Sequence, residues 1–474
     1  MADLCIIYAR EDRKKVELLD QLFRKEGWTV WWDKHMRDGS LTDQIQQEIN
    51  DPKCVLLVWS RKAVNKIWVR DEARYTLEIK RILIPVRLDS CVIPVPFGEL
   101  QTFELIGWRG GDSARFRNVV TVIRRHITAI PTVWDGKRSG EISLRGKQLL
   151  LPAFFRSVSS YETQLRPDAA MKLLELLKTE AVLLSAYDLV HSTRASALAA
   201  SAKRLGKSGS VVMMDSGNYE AYRKQDKKWT RTKFARSLST KCFDYVFCFD
   251  NLRPPRSLKT VVSDVIKRTL ADRELAETES VIPIVHLPFE KNGKFRTSMA
   301  SDIFAEISGR LRTGFIAIPE RELGGGLIEK AKVVCSIRKA LNGLGRYQPI
   351  HLLGTGNPLS VAVFTAAGAD SFDGLEWCRT AADYDTAHLF HFHQYDFFRD
   401  QTRRAENNLV RLAGENESIS FDAKVGLHNL EFFRVWINDL QKHVHGGTLD
   451  TLLRPLIPGP FVSELRRAFL EQNA

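Results

Sequence analysis

No Cys-x-x-Cys pair occurs in this sequence, although it holds seven cysteines: Cys5, Cys54, Cys91, Cys242, Cys248, Cys335 and Cys378. Most of them lie inside apolar runs. That spacing argues against a cysteine-based zinc site and for buried free thiols in a reducing compartment. Long apolar runs are missing too. None approaches the ~20 residues of a membrane-spanning helix, so no membrane partner is expected. The start, Met1-Ala2-Asp3, passes straight into an apolar segment without the basic residues and small-residue cleavage site of a signal peptide. A cytoplasmic location is the expectation. There is no low-complexity tract, and no repeat beyond alternation of apolar runs with helical segments.

What is present fits a folded chain. Hydrophobic residues make up 44% and charged residues 27%, which is the balance of a packed protein and not of a disordered one. A chain of 474 residues is too long for one ordinary core and predicts two or three domains. The formal charge of +13 favours phosphate-bearing partners, nucleic acid and dinucleotides included, without identifying one.

Residues 1–130 alternate strand and helix. The strands are expected at Leu4–Tyr8, Trp28–Trp32, Val55–Trp59, Ile82–Val86 and Phe103–Ile106. Helices fall over 12–26, ended by Gly27, through Ile45 and Ile49, from about Trp68, and up to about Ile127. Five βα units predict an α/β fold, a doubly wound parallel sheet of flavodoxin-like type, with ligands beyond the carboxyl ends of the strands.

Several motifs in this segment carry a resemblance. Ile6-Ile7-Tyr8-Ala9-Arg10-Glu11-Asp12 comes first, then Gly27-Trp28-Thr29-Val30-Trp31-Trp32-Asp33. Val58-Trp59-Ser60, Trp68-Val69-Arg70-Asp71-Glu72, Pro96-Phe97 and Gly107-Trp108 follow in order. Together they resemble bacterial TIR domains. Ile7 departs from the serine usual at the end of the first strand. The resemblance implies cleavage of the nicotinamide–ribose bond of NAD+, with Glu72 as catalytic carboxylate and no cofactor beyond the substrate. The chemistry agrees, because a carboxylate stabilises the oxocarbenium-like ribose and nicotinamide is already a cationic leaving group. Trp68 and Glu72 stand at i and i+4 and so share a helix face. Asp33 to Ser40 would be a loop beside the pocket, with Tyr8, Ala9, Trp32, Asp33 and Arg37 joining Trp68 as NAD-binding residues. Two alternatives stay open: Glu72 is a solvated residue beside Arg70 and Arg74, or the domain serves only as an assembly module.

Residues 131–141, around Trp134-Asp135-Gly136-Lys137-Arg138-Ser139-Gly140, are polar and read as a linker. Over 142–445, eight apolar runs recur: Leu149–Pro152, Ala181–Ala186, Val211–Met214, Tyr245–Phe249, Val281–Val285, Phe315–Ile318, Ile350–Leu353 and Ser371–Phe372. With helices between them they predict a (β/α)8 TIM-type barrel. Several runs end on Asp215, Asp250, His286, Glu320, Gly354 or Asp373, where barrel active sites gather. Carboxylates there are not core material, because unpaired burial is costly.

Local motifs in this region resemble tRNA-guanine transglycosylases. They are Asp215-Ser216-Gly217-Asn218-Tyr219, Phe249-Asp250, Leu353-Gly354-Thr355-Gly356-Asn357-Pro358, and Ala369-Asp370-Ser371-Phe372-Asp373 with Arg379 after it. The resemblance implies base exchange in which Asp373 attacks the anomeric carbon while Asp215 and Asp250 hold a purine. The sequence also departs from that family. Cys378 is the last cysteine, so the family zinc site is absent, and His286-Leu287-Pro288 replaces a Gln-Gly-Gly segment. A glycine-rich stretch reads Pro319-Glu320-Arg321-Glu322-Leu323-Gly324-Gly325-Gly326. The departures allow a different base, DNA in place of tRNA, or binding without turnover.

His391 and His393 are expected on one strand face, a spacing metal ligands can use, but nothing nearby completes a site and polar packing is the expectation. The tail 446–474, with Pro455, Pro458 and Pro460 and an amphipathic stretch Val462–Leu470, either covers the barrel or mediates assembly. The combined expectation is an anti-phage defence protein, oligomeric when active, whose TIR half destroys NAD+ and whose barrel senses a nucleobase, tRNA or DNA. The alternatives are a base-exchange enzyme with a TIR scaffold, and a non-enzymatic adaptor.

Overall fold

The structure, a computed structural model, describes residues 3–26, 28–32, 54–79, 81–127, 138–144, 146–457 and 459–473. Gly27, Asp33, Arg37, the helix expected through Ile45 and Ile49, and most of the expected linker lie outside the described residues. The chain divides into two compact units, Met1–Ala129 and Ile130–Ala474.

The first unit is built on five parallel strands: β1 (Leu4–Ile7), β2 (Val30–Trp31), β3 (Cys54–Trp59), β4 (Leu83–Arg87) and β5 (Phe103–Glu104). Their order is β2-β1-β3-β4-β5, the flavodoxin-like arrangement expected from the alternation. β1 is buried on both faces, so its residues divide by parity. Leu4 and Ile6 pack with Val16, Leu19 and Phe23 of the helix Arg13–Lys25, while Cys5 and Ile7 pack with Val69 and Ala73 of the helix Ile67–Glu78. That second helix buries Val69, Ala73 and Thr76. Trp68 and Glu72 occupy the neighbouring row. Because the helix follows β3, its first turns lie toward the carboxyl edge of the sheet.

The second unit opens with a hairpin, β6 (Glu141–Leu144) and β7 (Lys147–Leu150), and continues into eight parallel strands. These are β8 (Ala153–Val158), β9 (Ala181–Leu184), β10 (Val211–Met214), β11 (Tyr245–Phe247), β12 (Val281–Ile282), β13 (Ile316–Pro319), β14 (Ile350–Leu353) and β15 (Ser371–Gly374). They pair in the order β12-β11-β10-β9-β8-β15-β14-β13. Hydrogen bonds from Val285 N to Ala317 O (2.8 Å) and from Ala317 N to Pro283 O (3.0 Å) join the two ends. The result is a TIM-type barrel with helices outside it.

One strand is displaced from expectation. The run Leu149–Pro152 is not the first barrel strand; its first half is hairpin, with Leu149 buried and Leu150 half-exposed, and the barrel strand starts at Ala153. Apolar residues run unbroken across that boundary, so hydrophobicity alone does not mark it.

The barrel interior is aromatic. His351 of β14 lies among Phe155, Phe247 and Phe315, with ring centroids 5.1–6.3 Å away. At the amino end of the strands, Asp370 is tied down by Arg338 (2.6 Å), by the Tyr347 hydroxyl and by Arg138 (3.4 Å). Arg138 thereby ties the segment before β6 to the strand that carries Asp373 at its other end. The helix Phe421–His445 packs on β8, stacking Phe433 on Phe154 at 4.8 Å. In the tail, Leu465 and Phe469 join the barrel core, and the helix Gly459–Asn473 lies on the helix Leu327–Asn342.

Candidate functional site

The singled-out residues fall into three groups: the Tyr8–Trp32 pair and the Trp68–Glu72 turn in the first unit, and the rim of the barrel in the second. In the first unit, the ring of Tyr8 meets that of Trp32 edge-on at 5.8 Å, and the Arg13 guanidinium lies 5.9 Å over Trp32. Ala9 is fully buried behind them. One helical turn separates Trp68 from Glu72. Trp68 is 47% exposed, with the Lys66 ammonium 5.1 Å over its ring, while Glu72 is partly buried. The Thr76 hydroxyl donates to the Glu72 backbone carbonyl (2.7 Å). Nearby, the Ser60 hydroxyl donates to Asp12, whose carboxyl burial pushes above its usual range against that bond.

In the second unit a cavity of about 370 Å3 opens at the carboxyl ends of the barrel strands. That size suits a small organic ligand. Asp215, Glu320, Gly354 and Asp373 at strand ends, and Asp250 and His286 in the loops just beyond β11 and β12, all line it, and Ser216 and Arg379 join them. Strand direction explains the gathering, since parallel strands deliver their ends to one rim.

Each acid is held differently. Asp215 Oδ1 accepts from the N–H groups of Ala186 (2.9 Å) and Gly217 (2.8 Å). Burial and then the neighbouring Glu220 push its carboxyl well above the usual range. Gly217 is required there: its φ is +70°, and a Cβ would come within 2.7 Å of the Trp229 ring. Asp373 Oδ1 accepts from Gly354 N (2.9 Å) and faces His351 Nε2 (3.2 Å), while Oδ2 accepts from the Ser157 hydroxyl (2.8 Å). Asp250 Oδ1 accepts from Asn218 Nδ2 (2.7 Å), and Oδ2 lies 2.7 Å from His286 Nε2.

Gly356 does not line the cavity. It lies against the Glu376 carboxylate, so close that a Cβ there would sit 1.7 Å from Oε2. Glu376 itself lines the cavity, pairs with Arg379 (2.8 Å) and is raised by burial. Glu376, Glu220 and Ser157 carried no expectation from the sequence, and Glu322 stood there only within the glycine-rich stretch. Glu322 and Glu376 lie two and three residues beyond strand-end acids, which is the signal that marks them. His391 and His393 do not share a strand face: His391 closes a short strand and His393 is already in the following 3-10 turn. Among the described residues no group of His, Cys, Asp or Glu side chains is placed to hold a metal ion. All seven cysteines are buried and unpaired with one another.

The family model for the TIR domain matches residues 4–120. The first unit is a TIR domain. No curated protein matches the chain. The TIR match covers the sheet β1–β5 and the first half of the helix Ala114–Ile127, and it includes Glu72, Trp68, Tyr8 and Trp32. It stops short of the barrel, where no family match supports the transglycosylase resemblance. Among the described residues no helix is long and apolar enough to cross a membrane.

Proposed function

We propose that the TIR domain hydrolyses NAD+ at the nicotinamide–ribose bond and that Glu72 is its catalytic carboxylate. The observation that carries this is the TIR match over residues 4–120, with Glu72 on the helix Ile67–Glu78 one turn from an exposed tryptophan. Nicotinamide departs with the bonding electron pair and becomes neutral. The cation left on the ribose is stabilised by the Glu72 carboxylate, and water adds to the anomeric carbon and loses a proton. Trp68 offers a flat apolar wall for the ring. Asp33 and Arg37 are proposed to complete the NAD+ site, and assembly of several chains to order it.

In this reading the barrel is the sensor, binding a nucleobase, free or within tRNA or DNA, and the whole acts in anti-phage defence. Three acceptor positions of Asp373 are already taken by Gly354, His351 and Ser157, of roughly four that a carboxylate has. That favours binding over nucleophilic turnover. The second reading is base exchange in nucleic acid by the barrel, supported by Asp215, Asp250 and Asp373 around one cavity.

The experiment is NAD+ measurement in cells expressing wild type or Glu72→Gln, with and without phage challenge. Loss in wild type alone supports the hydrolase. Equal loss in both defeats it. Unchanged NAD+ throughout, with labelled guanine entering nucleic acid and Asp373→Ala stopping it, supports the second reading.

A further inference from the structure

The cavity wall formed beyond β11, β12 and β13 carries a chain of three buried ionisable side chains. His286 Nε2 lies 2.7 Å from Asp250 Oδ2, and Nδ1 lies 2.6 Å from Glu322 Oε1. Each ring nitrogen thus faces a carboxyl oxygen. With both carboxylates ionised, each contact needs a proton on that nitrogen, and the doubly protonated imidazolium supplies both. The outer oxygens are claimed as well, Asp250 Oδ1 by Asn218 Nδ2 (2.7 Å) and Glu322 Oε2 by Leu287 N (2.8 Å). Behind Asp250 and His286 a small void is lined by Cys248, Asp264 and Arg268, and the last two neutralise each other at 3.0 Å. On the cavity itself Glu320 and Lys330 pair at 3.0 Å, Glu376 pairs with Arg379 at 2.8 Å, and Arg321, Arg223, Glu220, Asp215 and Asp373 also line it. The three-member chain therefore keeps one net negative charge, and Asp250 and His286 are its members on the large cavity.

We propose that His286 and Glu322 are positioning residues that fix Asp250 as a hydrogen-bond acceptor only, so that the cavity selects a planar ligand presenting adjacent N–H donors. The proposal rests on the reading of the barrel as a nucleobase binder. Electrostatics point the same way. Burial pushes the Asp250 carboxyl up, but hydrogen bonding and charge from His286 outweigh it and hold the group below its usual range. Burial pushes His286 down, and the two carboxylates overcome it and bring the imidazole up to about 10. Across the cavity Asp215 is the opposite, a carboxyl that burial pushes well above its usual range, with Oδ1 occupied by two backbone donors. A buried acceptor left unmatched by a ligand penalises analogues that lack the donor.

The test uses the full chain, calorimetric titration with guanine and with hypoxanthine (which lacks the 2-amino donor), and 15N spectra of labelled histidine. His286 is identified by the signal lost in His286→Asn. The expected result has three parts. The His286 ring is doubly protonated at pH 7. Wild type binds guanine at least about tenfold tighter than hypoxanthine, with an affinity flat from about pH 5.5 to about 8.5. Glu322→Gln narrows that preference and makes binding weaken as pH falls, and Glu322→Asp restores part of it. A neutral His286 ring at pH 7 overturns the relay, and this holds even if the variants fail to fold. Equal binding of guanine and hypoxanthine overturns the selectivity alone. Binding of neither base by wild type overturns the nucleobase reading beneath it.

Discussion

The two units treat their carboxylates in opposite ways. Glu72 of the TIR domain stands partly buried on a helix flank, beside a tryptophan that is 47% exposed. In the barrel, Asp250, Asp373 and Glu376 are each less than a tenth exposed, and Asp215 and Asp250 are bound by neighbours from other strands. A buried carboxylate is pre-organised, because its partners fix both its position and its protonation before any ligand arrives. One on a helix flank gains strength only when another surface excludes water from it. Under the proposed function, this contrast would put regulated chemistry in the TIR domain, where assembly could complete a site, and fixed recognition in the barrel.

The largest effect that can break this comparison is at Glu72. Glu72→Gln keeps the shape and removes the charge, and the rate of NAD+ hydrolysis should fall by at least about 100-fold. Asp250→Asn should leave the rate of the activated enzyme intact and alter only its triggering. Assays on purified chains settle it, and a reversed pattern would assign the chemistry to the barrel.

Next in size is Arg338→Met. It leaves Asp370 buried without its 2.6 Å partner. Breaking a buried pair of this kind costs about 3–5 kcal/mol. In calorimetry the barrel transition should drop while the TIR transition stays. A common drop would show that the units melt together.

A smaller effect concerns pH. His286 is raised to about 10, so its stabilisation is complete below the unfolded value of ~6.5 and is lost as pH rises through about 10. Asp250 is depressed, so its contribution holds above its unfolded value and fades as pH falls through the lower folded one. Urea unfolding of the barrel from neutral to alkaline pH should show a decline that His286→Asn flattens. An unchanged slope would remove His286 from the balance.

The smallest structural effect is at Trp68. Being half exposed, its replacement by alanine should cost under about 1 kcal/mol of stability. If it walls the nicotinamide pocket, KM for NAD+ should rise several-fold with kcat less affected. A fall in kcat alone would move Trp68 from binding to positioning of the reacting centre.

Much of this was readable in advance. The strands of both sheets were located by apolar runs, because a parallel strand buried on both faces must be apolar throughout. The strand-end polar residues were located with them, and all six line the cavity. The boundary at Ala153 was not readable, because Leu149 through Phe155 is continuously apolar and only hydrogen bonding separates hairpin from barrel. The expectation for His391 and His393 failed for a similar reason: a period-2 pattern holds only while the strand lasts, and this one stops at His391.

The sequence by itself determined the alternation, the two sheets and the rim on which acids would collect. These follow from local periodicity and from the rule that parallel strands end on one side. The tertiary structure alone decided which acid meets which partner. His286 finds Glu322 across 36 residues, and Ser157 finds Asp373 across 216. Such pairings depend on barrel closure, and they set whether a carboxyl is held below its usual range, as at Asp250, or pushed above it, as at Asp215. Charge state in a buried site is a property of neighbours, and neighbours are assigned by the fold.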